Sequence, residues 1–160
     1  MPDSWLPPLT ALAALGCGLV GGVFFAFSTF VLQALARLPA GAGVSAMQSI
    51  NVLAVRPAFM TALFGTAAVC AAVGVGAVAN WSEDGADLLV AGSGLYLLGN
   101  VAVTGAANVP LNDDLARADP QADDTAGRWD SYVRRWSRWN HVRTVTAVGA
   151  CALFLVALAS

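Results

Sequence analysis

Leu9–Leu35 reads LTALAALGCGLVGGVFFAFSTFVLQAL and contains no Asp, Glu, Lys or Arg. Crossing ~30 Å of hydrocarbon takes roughly 17–25 apolar residues in a helix, and this run is long enough. The uncharged stretch around it extends from Ser4 to Ala36. Two more uncharged stretches follow, Pro57–Ser82 and Leu88–Asn112, and a fourth runs from Thr144 to Ser160. Apolar residues make up 58% of the 160-residue chain and charged residues 11%, against about 25% charged in an ordinary soluble domain. That leaves too little charge to cover a small water-soluble fold. The expectation is an all-α, four-helix transmembrane bundle forming a single membrane domain over 1–160.

The spans are expected near 9–35, 57–78, 88–109 and 141–159. Asp3 is the sole charged side chain before the first span. With no basic n-region, that span reads as retained rather than as a signal peptide. Pro7 and Pro8 suit a first helical turn, and Trp5 suits the headgroup level. Gly18 and Gly22 form a GxxxG pair with Gly21 beside them, a pattern that lets helix backbones approach closely in lipid. Cys17, Cys70 and Cys151 lie in apolar runs without CxxC spacing, so they read as small packing residues and no metal site is expected.

Between the first two spans, 37–56 is expected to be a loop with a short helix over Ser45–Asn51. Between the last two, 113–140 is expected to be irregular at first. It then becomes an interfacial or cytoplasmic helix, with Trp129, Tyr132, Trp136, Trp139 and Arg143 recurring at helical spacing. This helix either lies on the membrane surface or extends the last span. All eight basic residues are arginines, and all fall in or beside these two loops. The positive-inside rule therefore puts both loops in the cytoplasm and both termini outside, in the plasma membrane if the source is bacterial.

The third span carries Asn100, Thr104, Asn108 and Asn112 at four-residue intervals, with Tyr96 extending the stripe. An amide in hydrocarbon needs a partner, so the stripe faces other helices, water or a ligand. One reading is a structural hydrogen-bond ladder and the other is a binding surface. Pro110 removes a backbone donor, so the helix is expected to kink or end near Val109. The last span opens with Trp139-Asn140-His141-Val142-Arg143-Thr144 at the same depth. His141, the sole histidine, reads either as an interfacial polar residue or as a general acid or base. Arg143 either snorkels to headgroups or binds an anion. Gln48, Asn51 and Arg56 reach this level from the first loop. Phe24-Phe25-Ala26-Phe27-Ser28 supplies aromatic groups that face lipid or wall a pocket.

Four pieces now resemble one family: Phe24–Ser28, Met47-Gln48-Ser49-Ile50-Asn51, Asn108-Val109-Pro110-Leu111-Asn112, and Trp136–Thr144 (WSRWNHVRT). Together they resemble the anthrone oxygenase-like family of small integral membrane proteins, also catalogued as domain of unknown function 1772. The resemblance implies a four-span bundle. For some fungal relatives it also implies oxidation of anthrones to anthraquinones with O2, a monooxygenase-type reaction without metal or other cofactor. On that basis His141 is expected to take the proton from an anthrone-like or other phenolic polycyclic substrate. Arg143 with Asn108 or Asn112 would hold the developing oxyanion. Gln48, Asn51, Asn140, Thr104, Asn100, Trp136 and Trp139 would bind substrate.

Two readings from other classes stand beside it. One is a non-catalytic membrane subunit or a binder of lipid or quinone, in which the polar groups are structural. The other is a small-molecule transporter built around the Pro110 break, for which four spans would require a homo-oligomer. The expected partners are membrane lipid and a hydrophobic aromatic small molecule, with a homo-oligomer also open. Nucleic acid is not expected: Arg134, Arg135 and Arg138 with Trp136 and Trp139 read more simply as an interfacial anchor.

Overall fold

The computed structural model describes residues 5–160. Asp3 lies outside the described residues. Five helices follow in chain order: α1 (Leu6–Leu35), α2 (Ala40–Ala54), α3 (Pro57–Ala79), α4 (Ala86–Ala116) and α5 (Thr125–Ala159). Four of them, α1, α3, α4 and α5, are long and apolar enough to cross a membrane. The fold is a four-span helical bundle with one additional helix, α2, at the arginine-bearing end.

Local chemistry sets the helix starts. Prolines occupy the first turns of α1 and α3, where a missing N–H leaves no bond unmade. Pro39 has an extended backbone and starts α2. That helix is longer than the expected Ser45–Asn51, because the small residues Ala40–Gly43 join its first turn rather than a loop. α5 runs unbroken for 35 residues, or about 52 Å at 1.5 Å per residue. Its first half therefore extends the last span instead of lying flat as a separate element.

α4 does not end at Val109. It passes through Pro110 and continues to Ala116. The turn before the proline, Thr104–Asn108, is π-helical. A wider turn ends there, and Pro110 falls in the first turn of a new α-helical register, where its missing donor is tolerated. Further π turns occupy Phe27–Val31 in α1, Thr61–Gly65 in α3 and Leu97–Ala102 in α4. Such turns are rare and often sit at functional sites.

Two cores hold the molecule together. The larger fills the bundle with small and aromatic side chains, among them Ala13, Cys17, Cys70, Tyr96, Ala147 and Phe154. The Cys17 and Cys70 sulfurs are 3.7 Å apart, and all three cysteines are free. The second core lies at the arginine-bearing end, where α2, α4 and α5 enclose Met47, Leu111, Leu115, Trp129, Tyr132 and Trp136. Outward-facing leucines and valines such as Leu15, Leu19, Val75 and Val145 are exposed and present the bundle to lipid.

Close approach decides two glycines. A Cβ on Gly99 would stand 2.4 Å from Thr146 Cβ, so α4 and α5 touch there with no room for a side chain. A Cβ on Gly43 would stand 2.7 Å from the Trp129 ring, which fixes α2 against α5. In α1, Gly21 meets Ala147 and Val148 and Gly18 meets Cys151, whereas Gly22 faces open space. The α5 contact thus uses Gly18 and Gly21 rather than the GxxxG pair. Gly99→Val is expected to lower bundle stability by about 1–3 kcal/mol through overpacking. Thermal unfolding in detergent reads this as a lower midpoint, with Gly22→Val as the control that leaves it unchanged.

Candidate functional site

Three of the π turns, Phe27–Val31, Thr61–Gly65 and Thr104–Asn108, and the second core border a cavity of about 380 Å³. It lies between α1, the end of α2, the start of α3, the lower half of α4 and the middle of α5. Its walls are mainly aromatic and aliphatic, including Phe24, Phe27, Met47, Phe59 and Trp136. Its polar lining is Asn51, Thr104, Asn112 and Arg143.

Among the described residues Arg143 is the only charged one on the cavity wall, and it is 5% exposed. Its Nη1 donates to Thr104 Oγ1 at 3.2 Å and its Nη2 to Asn140 Oδ1 at 2.8 Å. Its Nε has no partner. The guanidinium carbon lies 4.1 Å from the centre of the Phe24 ring and 5.2 Å from that of Trp136. Among the described residues, the ion pairs are Arg117–Asp114 and Arg128–Asp124, both exposed, and no carboxylate pairs with Arg143. Removing a charge from water costs several kcal/mol. Two aromatic faces and two neutral hydrogen bonds offset part of that. An anion in the cavity would offset the rest.

Asn140 holds the arginine in place. It is fully buried, and its Nδ2 donates to the Phe24 carbonyl at 2.7 Å and to Ser28 Oγ at 2.8 Å. Ser28 in turn shares a hydrogen bond with Thr144. Asn140 Oδ1 is therefore aimed at Arg143, and α1 is tied to α5 through the same amide.

Asn112 is oriented just as firmly. Its Oδ1 accepts from Trp136 Nε1 at 2.9 Å and from Tyr132 Oη at 2.9 Å. An indole N–H only donates, so the carbonyl must face Trp136 and the amide NH2 remains as a donor. The Asn51 side chain reaches the Tyr132 hydroxyl from α2. Trp129, Tyr132 and Trp136 stack along α5, with centroids 5.7 and 6.3 Å apart.

The structure thus brings Asn51, Thr104, Asn112, Trp136 and Arg143 to one cavity. His141 does not join them: it is exposed and does not line the cavity. At 100° per residue, position 141 turns away from the face shared by Asn140, Arg143 and Thr144. Trp139 is also off that face, at the bundle surface. Gln48 instead clamps α2 to the end of α4, donating to the Leu115 and Ala118 carbonyls. Asn100 is buried higher in the bundle against Thr146, and Asn108 approaches the Trp136 carbonyl at 3.4 Å. Neither lines the cavity. Sequence reasoning quoted Met47 and Val109 within shared motifs but did not assign them, or Phe59, to a cavity wall, because apolar residues in an apolar chain give no sign of which surface they face. Periodicity alone gives no sign of the π turns that turn those walls inward.

The family model for anthrone oxygenase matches residues 57–153. That is more than half of the chain. The protein belongs to the anthrone oxygenase family. The matched stretch carries Thr104, Asn112, Trp136, Asn140 and Arg143. Phe24, Phe27, Met47 and Asn51, which complete the cavity, come from α1 and α2 outside it. No curated protein and no solved structure matches the chain.

A larger recess of about 520 Å³ opens between the arginine-side ends of α4 and α5, beside Arg117, Arg128 and Arg135. Two of these already pair with aspartates, and the recess lacks a buried unpaired charge. Asn140→Leu is expected to destabilise the protein by about 1–3 kcal/mol, since it takes a donor from the buried Phe24 carbonyl and Ser28 hydroxyl and an acceptor from the buried cation. Trp139→Ala, at the surface, is expected to stay within about 0.5 kcal/mol. Thermal unfolding of the two variants checks both values.

Proposed function

We propose that the cavity binds a planar phenolic polycyclic compound as its anion, with the oxygen at Arg143, and that the protein turns such a compound over as an anthrone-type oxygenase. The observation that carries this reading is the buried, carboxylate-free Arg143 in an aromatic-walled cavity. Membership of the anthrone oxygenase family supports the choice of substrate class.

The chemistry needs little from the protein beyond that charge. The methylene carbon of an anthrone loses a proton to give an aromatic, phenolate-like anion. Arg143 favours that anion by pairing with the oxygen, and the Asn112 amide offers a further donor. Preorganised donors aimed at a developing oxyanion supply large stabilisation in a site that excludes water. The anion carbon then gives its electrons to O2 and forms a carbon–oxygen bond, leaving a peroxide anion that takes back one proton to become a hydroperoxide. Loss of water from that hydroperoxide breaks the O–O bond and the remaining C–H bond and forms the second carbonyl. One anthrone and one O2 give one anthraquinone and one water. Among the described residues no carboxylate or imidazole lines the cavity, so the first proton is given up to water before the anion enters. Thr104 and Asn140 position Arg143, while Asn51 and Trp136 orient the flat ring system. By the arginine count, this end of the bundle faces the cytoplasm and both termini lie outside.

The lack of a proton acceptor also favours a second reading, in which the same cavity binds such an anion, or a quinone, without turnover. Anthrone supplied to the protein in lipid nanodiscs under O2 separates the two. The oxygenase reading expects anthraquinone formation with one O2 consumed per product. Arg143→Gln should lower the rate by about a hundredfold or more, the scale of losing an oxyanion donor. His141→Ala should stay within about twofold, since its side chain is outside the cavity. Product formation no faster than in empty nanodiscs would contradict turnover, and loss of activity in His141→Ala would contradict the assigned roles.

A further inference from the structure

The cavity has one apolar mouth. Leu53, Val55 and Val109 line the cavity and are at the same time 51%, 67% and 42% exposed. They stand where α3 and α4 part. Those two helices pack chiefly through their other halves, Thr66–Ala79 against Ala86–Tyr96, so their arginine-side halves leave a gap. Among the described residues Arg143 is the only charged one that lines the cavity behind this rim, and Arg56 beside Val55 is exposed outside it. The side facing the arginine-bearing end is closed. There the Trp129–Tyr132–Trp136 stack is buried with Met47, Leu111 and Leu115 in a packed core. Gln48 ties α2 down over it.

We propose that the ligand enters from the bilayer rather than from water, sideways through the gap between α3 and α4. This rests on the anion-binding reading of the cavity and narrows the ligand to one chemical class. It is a membrane-dissolved amphiphile with a flat apolar body and a single ionisable oxygen group. The ionisable end leads inward to Arg143, and the apolar body trails past Leu53, Val55 and Val109. A highly water-soluble polyanion would have to shed its water to pass the apolar side chains of Leu53, Val55 and Val109, which disfavours it. The route also accounts for the exposed apolar residues at the α2–α3 junction, which would otherwise only contact lipid.

A rim residue controls the rate of passage in both directions. The test is therefore kinetic, in nanodiscs, with anthracene-9-carboxylate as a fluorescent flat anion read by energy transfer from the protein's tryptophans. Val55→Trp and Val109→Trp, which narrow the gap, are expected to slow association by about tenfold and to slow dissociation as well. Arg143→Gln is expected to weaken Kd by about tenfold or more with association unchanged. Ser131→Trp, in the aqueous recess behind the aromatic stack, is expected to leave both rates as in the parent protein. Unchanged exchange in both rim variants, or slowed exchange in Ser131→Trp, overturns lateral entry while leaving the anion site standing. Absence of probe binding to the parent protein overturns the anion site itself, and the entry route with it.

Discussion

A guanidinium buried among helices in a membrane, with no carboxylate to meet it, constrains everything around it. In Arg143 the charge is held by what a chain poor in acidic residues can supply: two aromatic faces, a threonine hydroxyl and an asparagine carbonyl. These groups come from three helices. Phe24 belongs to α1, Thr104 to α4, and Asn140 and Trp136 to α5. Satisfying one cation therefore fixes three helices relative to one another. The amide that faces the cation also ties α1 to α5 through Ser28 and the Phe24 carbonyl. The compensation remains incomplete, since Nε has no partner, and the proposed binding of an anion rests on that.

The backbone serves the same end. All four π turns lie in the spans that wall the cavity, and none lies in α5, which carries the arginine. An extra residue in a turn shifts the face a helix presents. In α4 it lets Thr104 and Asn112 both reach the cavity, although Asn108 between them does not. The same shift absorbs Pro110, so the helix continues and can carry Asn112 to Trp136 and Tyr132. Strain at the proline and orientation of the donor are thus handled by one local device.

Much of the fold was legible in the sequence because lipid imposes a length and a composition that few other environments demand. The uncharged stretches map onto α1, α3, α4 and α5. The site was legible only in part. Spacing along α5 correctly suggested that Trp129, Tyr132, Trp136 and Arg143 share a face, yet it named Trp139 where the buried member is Asn140. A 3.6-residue repeat passes between 139 and 140, and only packing decides which turns inward. His141 attracted a catalytic role because imidazole titrates near neutrality, an argument about chemistry that carried no information about direction. The asparagine stripe on α4 divided in the same way. Asn112 reached the cavity, while Asn100 and Asn108 packed between helices, because the π turns break the regular four-residue register that the stripe assumed.

A structure of the protein in lipid with anthracene-9-carboxylate bound tests the central claim most directly. The account predicts the flat ring between Phe24, Phe59 and Trp136, with a carboxylate oxygen within hydrogen-bonding distance of Arg143. The carboxylate found at the mouth, or the cavity filled by a lipid chain with Arg143 unliganded, would contradict it.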